Sequence, residues 1–318
     1  MHRITLSLLL LCFLLPVFAD EPFIMRFSHV NPADTPKGKA ADRLKQLVEE
    51  RSQGRIKMEV YAGAKLYKDI EEIEAIQLGN VEMLAPSLAK FGPLGLRDFE
   101  VFDLPFLFND RDAAFKALDG QIGIKLFNKL KPKGVIGLAY WDNGFKSITA
   151  NKIVRQPADL SGIAMRIQPS LVLAAQVEAW GGIPVPLPFG KVPEALRTGA
   201  VAATENVPSN LTAQKIDELQ SHLTISEHGY LGYAVIINRD FWESLPADLR
   251  QIIEQSMKEV TEYERRESVT LNNAALDQLK RGGKMQIHQL NQEERSQWRK
   301  HLQTVHSKFP QLTKLIAK

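Results

Sequence analysis

Apolar residues recur along this chain with two different periods. Residues 24–28 and 55–61 (RIKMEVY) alternate apolar and polar side chains, as a strand with one buried face does. Between them, residues 36–52 carry Ala40, Leu44, Leu47 and Val48 on one helical face, with Pro36 in the first turn and Gly54 just past the end. Asp69-Ile70-Glu71-Glu72 reads as a capping box opening a helix that stops at Gly79, and residues 81–85 read as a short buried strand. The opening is therefore β-α-β-α-β, an α/β sheet.

The alternation continues to the end. Residues 109–130 hold two helices split near Gly120, and 134–140 (GVIGLAY) form an apolar strand. Strands follow at 147–150 and 163–167. Ser170 caps a helix over 171–180 that Gly181 and Gly182 end, and a short helix at 192–198 stops at Gly199. Residues 200–203 are strand-like, and 223–226 and 233–238 are strands. Pro246 starts a long helix to about residue 280, and a last helix covers about 292–309. No repeat, low-complexity tract or linker interrupts the series. A two-domain protein whose chain crosses between domains more than once fits that continuity.

The first stretch stands apart. His2 and Arg3 precede an apolar run from Ile4 to Leu15, Pro16 breaks it, and Val17-Phe18-Ala19 suits a cleavage site, so residues 1–19 read as a cleaved secretory signal. A membrane anchor is the alternative; it needs about 20 apolar residues, and Asp20-Glu21 arrive too soon. The single cysteine, Cys12, lies inside that segment. Export without disulfides points to a bacterial periplasm. The remaining composition is that of a soluble folded protein: 318 residues, 44% hydrophobic, 24% charged and net +3. Acids and bases are interleaved, as in Glu264-Arg265-Arg266-Glu267, which argues against a nucleic-acid footprint. The charged face of the long helix reads as solvated, with contact to a membrane protein as the alternative.

Motifs for catalysis are missing: no Gly-x-Ser-x-Gly, P-loop, His-Glu-x-x-His or Gly-x-Gly-x-x-Gly occurs, and the histidines do not pair at metal spacing. The chain is thus read as a non-enzyme without cofactor or metal, with an enzyme of dispersed catalytic residues as a remote alternative.

Many short segments, in order, resemble the solute-binding proteins of TRAP transporters, in particular the C4-dicarboxylate-binding (DctP) subfamily. They are FSHV at 27–30, TPKG at 35–38, LGNVEM at 78–83, APSLAKFGPL at 85–94, VFDLPF at 101–106 and WDNGFK at 141–146. LSGIAMRIQ at 160–168, PFGKV at 188–192, ALRTG at 195–199, Glu205-Asn206, HGYLGY at 228–233 and LPAD at 245–248 continue the series. The resemblance spans residues 23–310. It implies an α/β, two-domain periplasmic binding protein with a trap-like cleft, crossover strands and a long helix spanning both domains. Domain I would comprise residues 20–143 plus 232–270, and domain II residues 144–231 plus 271–318.

Arg166 stands out on chemical grounds too, since it interrupts an apolar strand where an unpaired charge is costly. A guanidinium can grip a carboxylate through two parallel hydrogen bonds, although a protein carboxylate would serve it equally well. The resemblance implies that Arg166 holds a substrate carboxylate and that Asn206 donates to it. Here the chain departs from the family: Val201-Ala202-Ala203 stands where Val-Asp-Gly is usual, and Val207 replaces a proline after Asn206.

A diacid needs donors at its other end. Ser87 and Lys37, and less so Lys90, are the domain I candidates, while Asn143 and Lys146 sit at the expected crossover after Trp141. For each lysine the plain alternative is a solvated surface charge. Trp141, Phe145 and Tyr233 read as core or pocket wall, and His29 and His228 as structural.

The expected function is a periplasmic receptor that binds succinate, fumarate or malate and delivers it to the small and large integral membrane subunits of a TRAP permease. A receptor for another organic acid, or a sensor for a membrane kinase, is the alternative.

Overall fold

The computed structural model describes residues 21–316, so the expected signal segment lies outside the described residues. Strand β1 (Phe23–Ser28) pairs in parallel with β2 (Ile56–Tyr61), and its inward residues Met25 and Phe27 are fully buried. Between them runs α1 (Pro36–Arg51). The Thr35 hydroxyl accepts the Gly38 N–H at 3.3 Å to cap it, and Ala40, Leu44 and Val48 are buried against the sheet. Helix α2 (Glu72–Gln77) leads to the short strand β3 (Met83–Leu84). Helices α3 (Arg111–Asp119) and α4 (Gln121–Leu130) precede the long strand β4 (Val135–Phe145).

The chain then enters a second sheet through β5 (Ser147–Ala150), β6 (Ala164–Ile167), α5 (Leu171–Ala179) and β7 (Ile183–Pro186). Helix α6 (Val192–Thr198), β8 (Ala203–Asn206), α7 (Pro208–Ala213) and β9 (His222–Ile225) follow. It returns to the first sheet in β10 (Tyr230–Asn238). After α8 (Arg239–Ser244) and the 36-residue α9 (Ala247–Gly282), it ends in β11 (Gln286–Gln289), α10 (Gln292–Lys308) and α11 (Pro310–Ile316). The strand orders are β2-β1-β3-β10-β4 and β11-β9-β5-β8-β6-β7.

Two crossings join the sheets. One is Lys146, between β4 and β5; the other is the turn at 226–229, between β9 and β10. They touch: the Lys146 N–H donates to the Gly229 carbonyl at 2.8 Å. Helix α9 spans both halves. Leu249, Ile253, Met257 and Val260 belong to the core that α1 and the first sheet share, while Leu279 belongs to the core around α6 and β9. The middle of α9 is polar yet buried, at Glu264, Ser268 and Asn272. Glu264 is therefore not part of the solvated face expected from its charged neighbours.

Two further expectations shift, and strand β7 was not expected. The strand placed at 200–203 forms at Ala203–Asn206, which puts Glu205 and Asn206 inside a strand rather than after it. Helix α2 starts at Glu72, and Asp69 caps nothing in it; its carboxylate turns to Lys90 and Phe189. Strand β7 reads Ile-Pro-Val-Pro, which a pattern search passes over; it survives because it is the sheet edge, where a missing N–H costs no ladder bond.

Gly144 sits two residues before the first crossing with φ +97°, and a Cβ there would meet the Arg111 guanidinium at 2.6 Å. The Gly144→Ala variant is expected to lose about 1–3 kcal/mol of stability. Urea unfolding followed by tryptophan fluorescence measures it, and an unchanged midpoint would contradict the strain.

Candidate functional site

The second sheet supplies a polar face. Arg166 on β6 lies opposite Thr204 on β8, and Asn206 is two residues further along the same strand, so all three share one side of the sheet. Arg166 is 3% exposed. Its Nε donates to the Leu187 carbonyl at 3.0 Å, and among the described residues it makes no ion pair. Burial lowers the guanidinium pKa, while the fields of Asp69 and Glu205 oppose that. Asn206 Oδ1 accepts the Val207 N–H and Asn210 Nδ2, each at 2.9 Å. A proline at 207 would have no N–H to give. Val207 thus fixes the amide with its oxygen satisfied, and among the described residues Nδ2 has no acceptor.

The first sheet supplies the facing wall. Lys37, in the first turn of α1, is buried; its Nζ donates to the Ala85 carbonyl at 2.9 Å and lies 3.8 Å from the centre of the Tyr233 ring. No carboxylate pairs with it among the described residues. Burial first, then the nearby Lys90, hold its pKa down to about 7, against the pull of Glu72, Asp69 and Glu264. Lys90, by contrast, is enclosed with Asp69 and Glu72, and their charges outweigh burial to raise its pKa. Ser87 follows β3 and bridges to Tyr233; its hydroxyl accepts Gln168 Nε2 at 2.6 Å. Asn31 Nδ2 donates to Asn210 Oδ1 at 2.9 Å. With the Phe189 N–H donating to Asp69, three hydrogen bonds join the walls directly. The space left between them is about 30 Å³.

A buried charge cluster forms part of the cavity wall. Glu205 is bonded by Lys146 Nζ, by His228 Nε2 at 2.7 Å and by Gln176 Nε2 at 3.0 Å. His228 Nδ1 meets the Ser226 hydroxyl at 2.7 Å. Burial pushes the His228 pKa down, so the neutral ring donates Nε2–H to Glu205 and accepts from Ser226. Lys146 and His228 outweigh burial and hold Glu205 well below the usual carboxylate range.

Of the residues expected from sequence, Lys37, Ser87, Lys146, Arg166 and Asn206 line the cavity, as does Lys90. Asn143 does not line it. Asn143 stands one layer back, donating to the Tyr233 hydroxyl at 2.6 Å. Sequence reading missed Asn31, Asp69, Gln168, Glu205 and Asn210. Glu205 and Gln168 carried a signal, since both lie in resembling segments.

A sequence profile described as bacterial extracellular solute-binding protein, family 7, matches residues 27–312. The C4-dicarboxylate-binding periplasmic protein DctP of Rhodobacter capsulatus is 50% identical, across 91% of this chain and 87% of that one. A TRAP periplasmic solute-binding protein from Shewanella oneidensis, solved with bound succinate, superposes with TM-score 0.90 at 40% identity, covering 93% of this chain and 97% of the other. One from Pseudomonas aeruginosa with bound L-malate gives 0.88 at 39%, covering 90% and 100%.

Removing the negative charge at 205 leaves the Lys146 ammonium buried without its counter-ion. Glu205→Gln is therefore expected to lose about 3–5 kcal/mol of stability at pH 7, measured by urea unfolding. The folded pKa of Glu205 is depressed, so its contribution is complete above the unfolded value of 4.5 and fades as the pH falls below it. That acid limb should flatten in the variant, and a limb of unchanged slope would assign the acid loss elsewhere.

Proposed function

The chain belongs to family 7 of the bacterial extracellular solute-binding proteins, and on that basis we propose that it is a receptor for four-carbon dicarboxylates such as succinate, fumarate and malate. One observation carries this reading. Two buried cations that lack a protein carboxylate, Lys37 from the first sheet and Arg166 from the second, line the same cavity. A ligand with two carboxylates supplies what both lack. One carboxylate lies on the Arg166 fork and Asn206 Nδ2, and the other meets Lys37 and the Ser87 hydroxyl. Lys146 adds positive field behind the first carboxylate, and Asn143 holds Tyr233, the aromatic ring beneath Lys37. The names and bound ligands of the relatives support the same class.

Three hydrogen bonds join the walls across the cavity, so in this reading entry requires the walls to part. In this reading the moving lobes are residues 20–143 plus 232–270 and residues 144–231 plus 271–318. The ligand draws them together because only the closed form surrounds it with all its donors. No bond is made or broken. The receptor works in the periplasm after removal of residues 1–19, and passes its ligand to the small and large membrane subunits of a TRAP permease. Among the described residues no helix is long and apolar enough to cross a membrane, which suits such a partnership.

Three outcomes test this. In ligand-stripped protein, succinate at about 1,000 times its Kd should stabilise by about 4 kcal/mol, a rise of several degrees in Tm. Arg166→Ala should remain folded and lose at least about 100-fold in affinity, because it strands a buried anion. Wild-type affinity in that variant would sink the assignment.

The third outcome is a pH dependence. Lys37, with its pKa near 7, must be charged to pair with a carboxylate, so binding takes up a proton above neutrality. Affinity should fall as the pH rises from 7 to 9, by at most about tenfold per unit. Calorimetry in buffers of different ionisation enthalpy reads the proton uptake, and Lys37→Met should abolish the slope as well as weaken binding.

A further inference from the structure

A second space adjoins the cleft. It measures about 330 Å³ and is mostly apolar, with Ile70, Ile73, Leu94, Pro186, Leu187 and Pro188 in its walls. Ile70 is 77% exposed, so the outer rim is open to solvent. Four residues line both this vestibule and the charged cavity: Asp69, Lys90, Arg166 and Gln168. They are the wall between the two. Three of the four are donors, and Asp69 is the acceptor among them. Its carboxylate is held from both sides, by Lys90 Nζ of the first half and by the Phe189 N–H of the second. Its side chain is 8% exposed.

A carboxylate fixed in that place does two things. It fills the gap through which a longer or branched ligand would leave the charged cavity. It also meets such a ligand with a desolvated negative charge, which an apolar branch cannot pair. Beyond it lies apolar surface that a four-carbon diacid never reaches.

Resting on the dicarboxylate reading above, we infer that Asp69 is a specificity-determining partition: it restricts the site to unbranched four-carbon diacids, and its removal opens the apolar vestibule to a succinate that carries an apolar branch. The branch is a hydrocarbon by the chemistry of the vestibule, and each methylene buried there is worth about a fourfold gain in affinity. Once Asp69 is shortened, Lys90 keeps Glu72 as its counter-ion, so the loop retains a paired charge.

The test is calorimetric titration of succinate and of benzylsuccinate into wild type, Asp69→Ala and Asp69→Asn. Wild type should prefer succinate by about 100-fold or more. Asp69→Ala should move the succinate-to-benzylsuccinate affinity ratio at least tenfold towards the branched acid, even though losing the Phe189 contact weakens both. Asp69→Asn, which keeps the shape, should hold the wild-type ratio within about threefold. Should the alanine variant fail to fold, Asp69→Ser reads the same opening with a polar atom kept beside Lys90. A ratio unchanged in the shortened variant, or a wild type that already accepts benzylsuccinate as well as succinate, overturns the partition and leaves the receptor reading intact. A wild type that binds no diacid overturns the receptor reading, and the partition with it.

Discussion

A single enclosed carboxylate holds together the two points at which the chain passes between its sheets. Glu205 is removed from water, and a lone charge in that position would cost several kcal/mol. It is met by Lys146 and His228, which stand at the two points where the chain passes between sheets, and by Gln176 from α5. The crossings are also bonded to each other through the Lys146 N–H. Neither can slide past the other without unpairing a buried charge. Strand β8, which carries Glu205, is thereby held against the crossings, and Asn206 and the neighbouring Arg166 inherit that fixed position.

The cavity in front follows a simple accounting of charge. Four of its lining residues are cations, and two of them are satisfied internally: Lys146 by Glu205, and Lys90 by Asp69 and Glu72. Those pairs are structural, and their desolvation is met within the protein. Lys37 and Arg166 are left with backbone carbonyls and an aromatic face, which stabilise a cation far less than a carboxylate does. The separation between satisfied and unsatisfied cations, rather than the total positive charge, is what the proposed diacid site rests on. A uniformly paired cleft would have no affinity to offer, and a uniformly unpaired one would not stay closed.

Much of this was legible in the sequence, for identifiable reasons. Strands and helices with one buried face announce themselves by period, which is why β1, α1, α5 and the full run of α9 fall where the pattern puts them. Arg166 was legible because a charge inside an apolar strand is conspicuous. Glu205 and Asp69 were not, because a carboxylate's role lies in its partners. Those partners are distant in sequence: Lys146 is 59 residues from Glu205, and Phe189 is 120 from Asp69. Asp69 was in fact misread by a local rule, since Asp-Ile-Glu-Glu suits a helix cap. Glu264 was hidden by its company, one acid in a charged quartet on a helix that looks solvated.

The case of Glu264 has a cause in the backbone of β4. The pairing of β4 with β10 slips between Leu231 and Gly232: Gly144 faces the first and Asp142 the second, leaving Asn143 opposite nothing. A bulge of this kind releases main-chain groups from the ladder, and buried main-chain groups must find partners elsewhere. Helix α9 meets two of them, and the Asp142 carboxylate between, at intervals of four residues, hence from one face. Glu264 accepts the Asp142 N–H at 2.8 Å, Ser268 donates to the Asp142 carboxylate at 2.6 Å, and Asn272 donates to the Asn143 carbonyl at 3.0 Å. Apolar side chains at these three positions would pack against β4 but leave the bulge unsatisfied. The polar centre of the long helix is thus a consequence of the bulge, and the bulge turns Asn143 away from the cavity and towards Tyr233. The Asn143 side chain sets the ring beneath Lys37, because the strand that carries it bends three residues before it crosses.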